Sequence, residues 1–281
     1  MSFNAKILKD SISPLEVRLT TFEVTFPRMI LPEFNTHRTF SRNSASSRAI
    51  PVEKMLKRVL ENPFIPTYWG KNQKGMQAEK ELDLEEQVKA KNSWLEARDK
   101  AIDSAKAMLN FGVHKQITNR LLEPFMWHTV IVTSTEYSNF FNLRDNKDAQ
   151  PEIKTIAHMM KEIYYSSNPS YCNYEEWHLP LIDEEDYKLA TYRDTTGRVD
   201  AETLKKVSVG RCARVSYLTH DGKRDHVADI ELHDRLLTSG HMSPFEHVAM
   251  PTKDNKFIGN FKGWIQYRKT IPGEADMLAE K

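Results

Sequence analysis

The sequence predicts a mixed α/β (α+β) fold, and three stretches carry the prediction. Residues Leu15–Phe26 read LEVRLTTFEVTF, dense in β-branched and aromatic side chains and partly alternating in polarity, as a strand does. Residues 79–111 contain few breakers and many Glu, Lys and Ala, with Leu95, Ile102, Ala105 and Leu109 at helical spacing. Residues 149–165 place Ile153, Ile156, Ala157, Met160 and Ile163 on one helical stripe facing a core.

In chain order, the strand ends at Pro27 and a polar loop with one short helix is expected up to Pro51. Val52–Glu61 follows a Pro suited to a first helical turn and sets Met55, Val59 and Leu60 on one side, a short amphipathic helix. The long helix over 79–111 stops at Gly112, and another is expected over 113–122, ending before Pro124. His128–Val132 is a β-branched run that periodicity leaves open between strand and buried helical turn. Residues 166–200, with Asn168-Pro169, Asp183–Asp186 and Thr195-Thr196-Gly197, read as a turn-rich linker inside one domain spanning 1–281, with the helix around 79–111 an insertion. Asp225–Ser239 is a helix with Gly240 at its C-terminal stop, followed by a loop over 242–251.

Composition narrows the function classes. The 281 residues are 40% hydrophobic, enough for a sizeable core. Forty Lys and Arg against 39 Asp and Glu leave a net charge of +1, so no global field holds a polyanion and nucleic acid is not expected as partner. No run approaches the roughly 20 apolar residues of a spanning helix, so no membrane partner is expected either. Cys172 and Cys212 lack CxxC spacing and fit a reducing cytoplasm. Each is expected to be a small buried residue and not a nucleophile.

Residues 36–48 concentrate chemistry. Thr36-His37-Arg38-Thr39-Phe40-Ser41-Arg42-Asn43-Ser44-Ala45-Ser46-Ser47-Arg48 packs four cationic or potentially cationic side chains and six hydroxyls into thirteen residues. Arg presents a planar donor fork to phosphate, and hydroxyls and loop amides fill the remaining acceptor sites, which makes an anion cradle; a solvated, capped turn is the plainer reading.

This segment resembles the RHRxxSxNExSxR motif of the flavin-dependent thymidylate synthases, matching at His37, Arg38, Ser41, Asn43, Ser46 and Arg48 and departing at Thr36 and Ser44. Gly240–His247, GHMSPFEH, resembles that family's GHxSxxEH segment. Arg211–Tyr217 resembles its AARxCY helix, with Ser216 in place of the Cys. A third likeness joins Asn119–Pro124, Asn139–Arg144 and Ala149–Ile153 to the family's central region, with Asp148 where many members carry His. The second pair precedes the RHR motif in ordinary members and follows it here, so the chain looks like a circular permutation. The spacing of His241 and His247 does not fit an HExxH zinc helix, and no metal is expected.

The resemblance implies a central, mainly antiparallel sheet flanked by long helices. It implies transfer of a one-carbon unit from methylenetetrahydrofolate to C5 of dUMP, with FAD and NADPH. It assigns Arg144 the catalytic role of polarising the pyrimidine, and Ser44, Ala45, Ser46, Ser47, Arg48, Arg120, Arg144 and His241 the nucleotide side. His37, Arg38, Thr39, Asn139, Ser243 and Glu246 are implied as FAD contacts, and a homotetramer assembled around shared sites is expected. The lost Glu at Ser44 suggests that the tail over 263–274, through Arg268 or Glu274, makes replacement contacts. Methylation or hydroxymethylation of dCMP or dUMP is the alternative activity. A non-catalytic nucleotide or RNA binder using Trp264 and Tyr267 as stacking surfaces is the alternative of another class.

Overall fold

A computed structural model describes residues 1–193, 200–215 and 225–274. Its centre is a five-stranded sheet in the order β3-β4-β2-β1-β5, formed by β1 (Asn4–Ile12), β2 (Arg18–Pro27), β3 (Ser41–Ser44), β4 (Trp127–Ser134) and β5 (Ser170–Tyr171). All pairs are antiparallel except β1 with β5, so the mainly antiparallel sheet is present. The open run 128–132 is strand β4: its β-branched side chains pack well on a pleated surface between two neighbours. β1 has no clear sequence signature because Lys6, Lys9 and Asp10 interrupt its pattern. Lys6 is satisfied across the pair by Glu23, and a bulge breaks the register between Ile7 and Lys9.

One sheet face is apolar. Phe22, Val24, Phe26, Val130 and Val132 pack against Phe34 in the short helix α1 (Leu31–Phe34), Phe140 and Phe141 in α5 (Ser138–Arg144), and the α6 stripe (Pro151–Ser166). Each such buried side chain contributes on the order of 1.5–3 kcal/mol. Beyond one sheet edge, α2 (Val52–Glu61) sets Met55 and Val59 against Ile102 and Ala105 of α3 (Leu84–Asn110) and against Leu122, Phe125 and Met126. The expected helix over 79–111 begins later, at Leu84, capped by Asp83, whose carboxylate accepts from the Glu86 amide while Glu86 returns the bond; residues 79–82 are not helical, and Gly70 bridges Glu81. It ends as expected, with Gly112 at φ +76°. The helix expected over 113–122 is instead a single turn, α4 (Lys115–Thr118), running into a 3-10 helix over Asn119–Phe125 that accommodates Pro124.

The other face is polar and covered by α8 (Ala201–Arg214), which packs beside α9 (His226–Thr238); Cys212 and Val215 meet Ile131 there. The stretch read as a linker carries β5 and α7 (Glu184–Arg193), so it is more structured than its turn signals suggested; Thr195-Thr196-Gly197 lies outside the described residues. Buried Asp186 of α7 binds Arg211 through both carboxylate oxygens and accepts from His226 Nε2, tying α7 to α8 and α9. The tail is built from β6 (Ala249–Pro251), β7 (Phe257–Ile258), β8 (Phe261–Lys262), β9 (Trp264–Gln266) and a 3-10 turn over Tyr267–Thr270. Trp264, Gln266 and Tyr267 are buried, which removes Trp264 and Tyr267 as stacking surfaces.

Among the described residues, no helix is long and apolar enough to cross a membrane. Both cysteines are free and buried, and burial pushes the Cys172 thiol up to about 12 and Cys212 further, so neither is a ready nucleophile.

Candidate functional site

The turn after α1 and helix α5 face each other across an open cleft of about 620 Å³, walled by Thr36, His37, Arg38, Thr39, Glu136, Asn139, Phe140, Leu143, Arg144 and Phe257. Local sequence explains the approach. Phe34 and Phe40 each pack edge to face with Phe140 beneath the turn, and His37 lies at 4.8 Å and 88° to the Phe140 ring. Arg42 donates from Nη1 to the carbonyl of His37, bracing the turn from below.

Arg144 Nε donates to His37 Nε2 at 3.0 Å, and its Nη2 donates to Thr36 Oγ1 at 3.2 Å. Burial, and then the Arg144 and Arg42 guanidiniums, hold His37 down to about 4, so the ring is neutral at pH 7 and its Nε2 lone pair accepts from Arg144. A neutral imidazole therefore fixes one edge of the guanidinium while the side chain stays only partly buried in the cleft wall. His37, Arg38, Thr39, Asn139 and Arg144 thus line one cleft. Glu136, Phe140, Leu143 and Phe257 join them without having been singled out. Glu136 and Phe140 flank the quoted Asn139, but Phe257 arrives from the tail and leaves no local signal.

The rest of the expected nucleotide set is elsewhere in the chain's fold. Expected as a polar loop, residues 41–44 form the edge strand β3, running from Ser41 opposite Thr133 to Ser44 opposite Val130. At about 3.3 Å per residue, those four residues separate the cleft from Ala45–Arg48 by roughly 13 Å. Beyond β3 a carboxylate occupies the middle of the cradle: Glu123 Oε1 accepts from Ser47 Oγ at 2.9 Å and Arg120 Nη1 at 2.8 Å, and pairs with Arg28 Nη2 at 3.2 Å. Asn119 Nδ2 ties the loop down through the carbonyls of Ser47 and Ile50. Ala45 is buried in the α2–α3 cluster, which makes it a packing residue and corrects its reading as a nucleotide contact; Arg48 is exposed. His241 is exposed and meets Ser239 Oγ, outside both the cleft and the cradle.

Ser243 and Glu246 form a third group. They lie on a 3-10 turn over Ser243–Glu246 that packs on β3, where Ser243 Oγ donates to Asn43 Oδ1 at 3.4 Å and Asn43 Nδ2 donates to the Cys212 carbonyl at 2.8 Å. Glu246 Oε1 accepts from Arg268 Nη1 at 2.5 Å, and Arg268 Nε also binds Glu274. Gln266 Nε2 donates to Ser41 Oγ at 2.8 Å and to the Glu246 carbonyl at 3.2 Å. The tail therefore does reach the two expected motifs at once. Within one chain, however, neither Ser243 nor Glu246 walls the cleft holding His37 and Arg144. Ser216 and Tyr217 lie outside the described residues.

Apart from Phe257, the residues that meet in the cleft and the cradle fall within residues 3–170, which match the model of the family described as thymidylate synthase complementing protein. The chain belongs to that family. Residues 171–281, including GHMSPFEH and the tail, lie beyond the part of the chain matched to the thymidylate synthase complementing proteins. Similar solved structures include a UMP/dUMP methylase, PolB, from Streptomyces cacaoi bound with 5-Br dUMP, at 14% identity and a TM-score of 0.48, covering 59% of this chain and 91% of that one. The same enzyme bound with 5-Br UMP aligns at 17% identity and a TM-score of 0.49, covering 59% and 90%. No curated protein matches the chain.

Proposed function

We propose that this protein transfers a one-carbon unit from methylenetetrahydrofolate to C5 of dUMP, forming dTMP, with FAD as its flavin and NADPH as reductant. The observation that carries the reading is Arg144, held by neutral His37 in the wall of an open cleft, in a chain of the thymidylate synthase complementing protein family. C5 of a pyrimidine becomes nucleophilic when negative charge grows on the ring and its carbonyl oxygens. A guanidinium set beside that oxygen stabilises the charge as it develops, and its partners His37 and Thr36 remove the need to reorient it during reaction.

The cleft has the volume and the mixed aromatic and polar lining that a cofactor site requires. Arg38 would neutralise diphosphate charge, while Thr39 and Asn139 would supply donors and Phe140 an apolar wall. Reduced flavin, when bound, supplies the hydride that completes a methyl group. Ser46, Ser47, Arg48 and Arg120 would hold the nucleotide phosphate, with Glu123 limiting the positive charge of that cradle.

The cleft, the cradle and the Glu246 turn are separate within one chain, and a homotetramer that juxtaposes them from several subunits is part of the proposal. Exposed Leu84 and Val88 on one face of α3, with Ile117 and Leu121 near the cradle, supply apolar surface for such contacts. The two buried free thiols are compatible with work in the cytoplasm.

Incubation with labelled methylenetetrahydrofolate, FAD, NADPH and either dUMP or dCMP, followed by mass identification of the product, tests the reading. Label in dTMP supports it. Label in a dCMP product or a hydroxymethyl group would reassign substrate or product. Flavin uptake without nucleotide-dependent oxidation would dispose of the activity.

A further inference from the structure

Across the polar face of the sheet runs a row of five buried side chains joined end to end. Ser11 Oγ meets His178 Nδ1 at 2.8 Å, His178 Nε2 meets Thr21 Oγ1 at 2.8 Å, and Thr21 Oγ1 meets Thr133 Oγ1 at 2.7 Å. Thr133 Oγ1 then meets His247 Nδ1 at 2.8 Å. Ser11 is 1% exposed and the other four are 0% exposed, so water does not compete for these bonds. The far nitrogen, His247 Nε2, is buried without a protein partner, whereas Ser11 forms part of the wall of a second cleft, about 360 Å³, with Lys9, Ser170 and Trp177. A buried polar atom without a partner costs about 1–3 kcal/mol unless a ligand, water or neighbouring subunit satisfies it.

Both rings are held neutral, His178 far below its ordinary value and His247 down to about 3, each chiefly by burial. A neutral ring donates from one nitrogen and accepts at the other, and each hydroxyl has one proton, so the row has two self-consistent polarities. In the first, Ser11 donates to His178, His178 Nε2–H to Thr21, Thr21 to Thr133 and Thr133 to His247 Nδ1, leaving His247 Nε2–H as a donor. In the second every bond is reversed, both rings carry the proton on Nδ1, and His247 Nε2 is an acceptor.

We propose that Ser11, His178, Thr21, Thr133 and His247 form a proton relay through the sheet, connecting the Ser11 cleft to the position facing His247 Nε2. In passing from the first polarity to the second, each proton moves one group towards His247. One proton leaves His247 Nε2, and one enters Ser11 from solvent in the cleft, so no charge accumulates. In the opposite direction, a proton taken up at Nε2 is discharged at Ser11. Substitution at C5 of a pyrimidine releases one proton, and the relay's use as its outlet rests on the function proposed above. The relay itself does not, and the other four groups act as positioning residues for His247.

Nitrogen-15 spectra of the imidazoles in the full-length protein test the relay without any assay of turnover. In the wild type, His178 and His247 have equal fractions of the Nδ1–H tautomer. Ser11→Ala changes that fraction at His178, and His247 follows by the same amount although it does not touch Ser11. Thr133→Val abolishes the correspondence, and Thr133→Ser restores it. Unequal fractions in the wild type, or a Ser11→Ala change confined to His178, overturns the relay. If Thr133→Val does not fold, the wild-type and Ser11→Ala spectra still decide. A wild type inactive on every pyrimidine nucleotide would sink the proposed function and leave this result standing.

Discussion

Arg144 donates to His37 across the cleft, Nε to Nε2 at 3.0 Å, with the imidazole kept neutral by burial and by the guanidinium itself. The pair is reciprocal. A charged His37 would lose its lone pair and repel Arg144, so the guanidinium's position depends on the ring remaining unprotonated. Arg144→Lys keeps the charge but discards the fork that reaches His37 and Thr36 together. Turnover is expected to fall about 100-fold or more, the order of loss when one aligned donor is removed from a developing anion. The thermal midpoint should barely move, because the side chain is partly exposed. Full activity in Arg144→Lys would remove the catalytic assignment.

Acid should weaken the native state before carboxylates are protonated in bulk. His37 is held to about 4, and His128 and His247 to about 3, against an ordinary 6.5. Between those values the unfolded rings bind protons and the native rings do not, so unfolding takes up protons. The stability these neutral rings contribute is complete above pH 6.5 and is lost as pH falls towards 4 and then 3. Each ring changes stability by at most about 1.4 kcal/mol per pH unit in that window. Urea unfolding at pH 7, 5.5 and 4.5 should show a falling midpoint at constant slope. A midpoint flat across that range would mean the rings are charged in the native protein.

The cradle beyond β3 behaves as a charge-balanced unit. Glu123 receives Ser47, Arg120 and Arg28, and Arg28 is mostly buried beside His128. Glu123→Gln leaves that guanidinium without its counter-charge and is expected to cost about 1–3 kcal/mol of stability. Arg48→Ala, at an exposed position, is expected to leave stability within about 0.5 kcal/mol. It should raise the dissociation constant for dUMP roughly tenfold, as the loss of one charge-assisted phosphate contact would. Calorimetric titration of the two variants separates the roles; unchanged dUMP affinity in Arg48→Ala would exclude it from the phosphate site.

Much of this organisation was legible where a single helix or strand announces itself. The stripes of α2 and α6, the alternation of β2 and the Gly stops at Gly112 and Gly240 depend on neighbours a turn away, so the sequence displays them. β3 was not legible, because Ser41 and Asn43 become strand residues only by pairing with distant β4, and their polar side chains are buried only through partners 225 and 169 positions away, Gln266 and Cys212. The cleft residues on the Thr36 and α5 segments were found by motif. Their separation from Ser46–Arg48 and Glu246 was hidden, since a motif fixes residue types and not which end of a strand they occupy. Polar tail residues such as Gln266 gave no hint of burial, because a side-chain amide is buried only when its hydrogen bonds close.

Deleting 260–281 is a poor probe of the tail, since it removes Trp264 and Phe261 from the interior. The ion pair of Glu246 with Arg268 offers a cleaner one. Arg268→Ala, Glu246→Gln and the double variant form a cycle whose coupling should be about 0.5–3 kcal/mol, in stability or in FAD affinity. Coupling in FAD affinity would show that the tail shapes the flavin contact expected of Glu246. Coupling in stability alone would make it a strut.

The contact of α8 with α9 gives the sharpest packing prediction. Gly210 faces the backbone of Asp229 so closely that a Cβ there would stand 2.3 Å from the Asp229 carbonyl oxygen, against main chain that cannot rotate away. Asp229 is also fixed from its side-chain end, receiving Arg211 Nε at 3.1 Å and Arg214 Nε at 2.6 Å. Inserting one methyl must therefore push α9 off α8 or break the buried ion network. Gly210→Ala is expected to lose about 1–3 kcal/mol despite the better helix propensity of Ala, which is worth less than 1 kcal/mol. Ser208→Ala, two residues earlier, removes only the hydroxyl's bond to the Pro180 carbonyl and should cost about 1 kcal/mol. A Gly210→Ala protein as stable as the wild type would show that the two helices do not approach this closely.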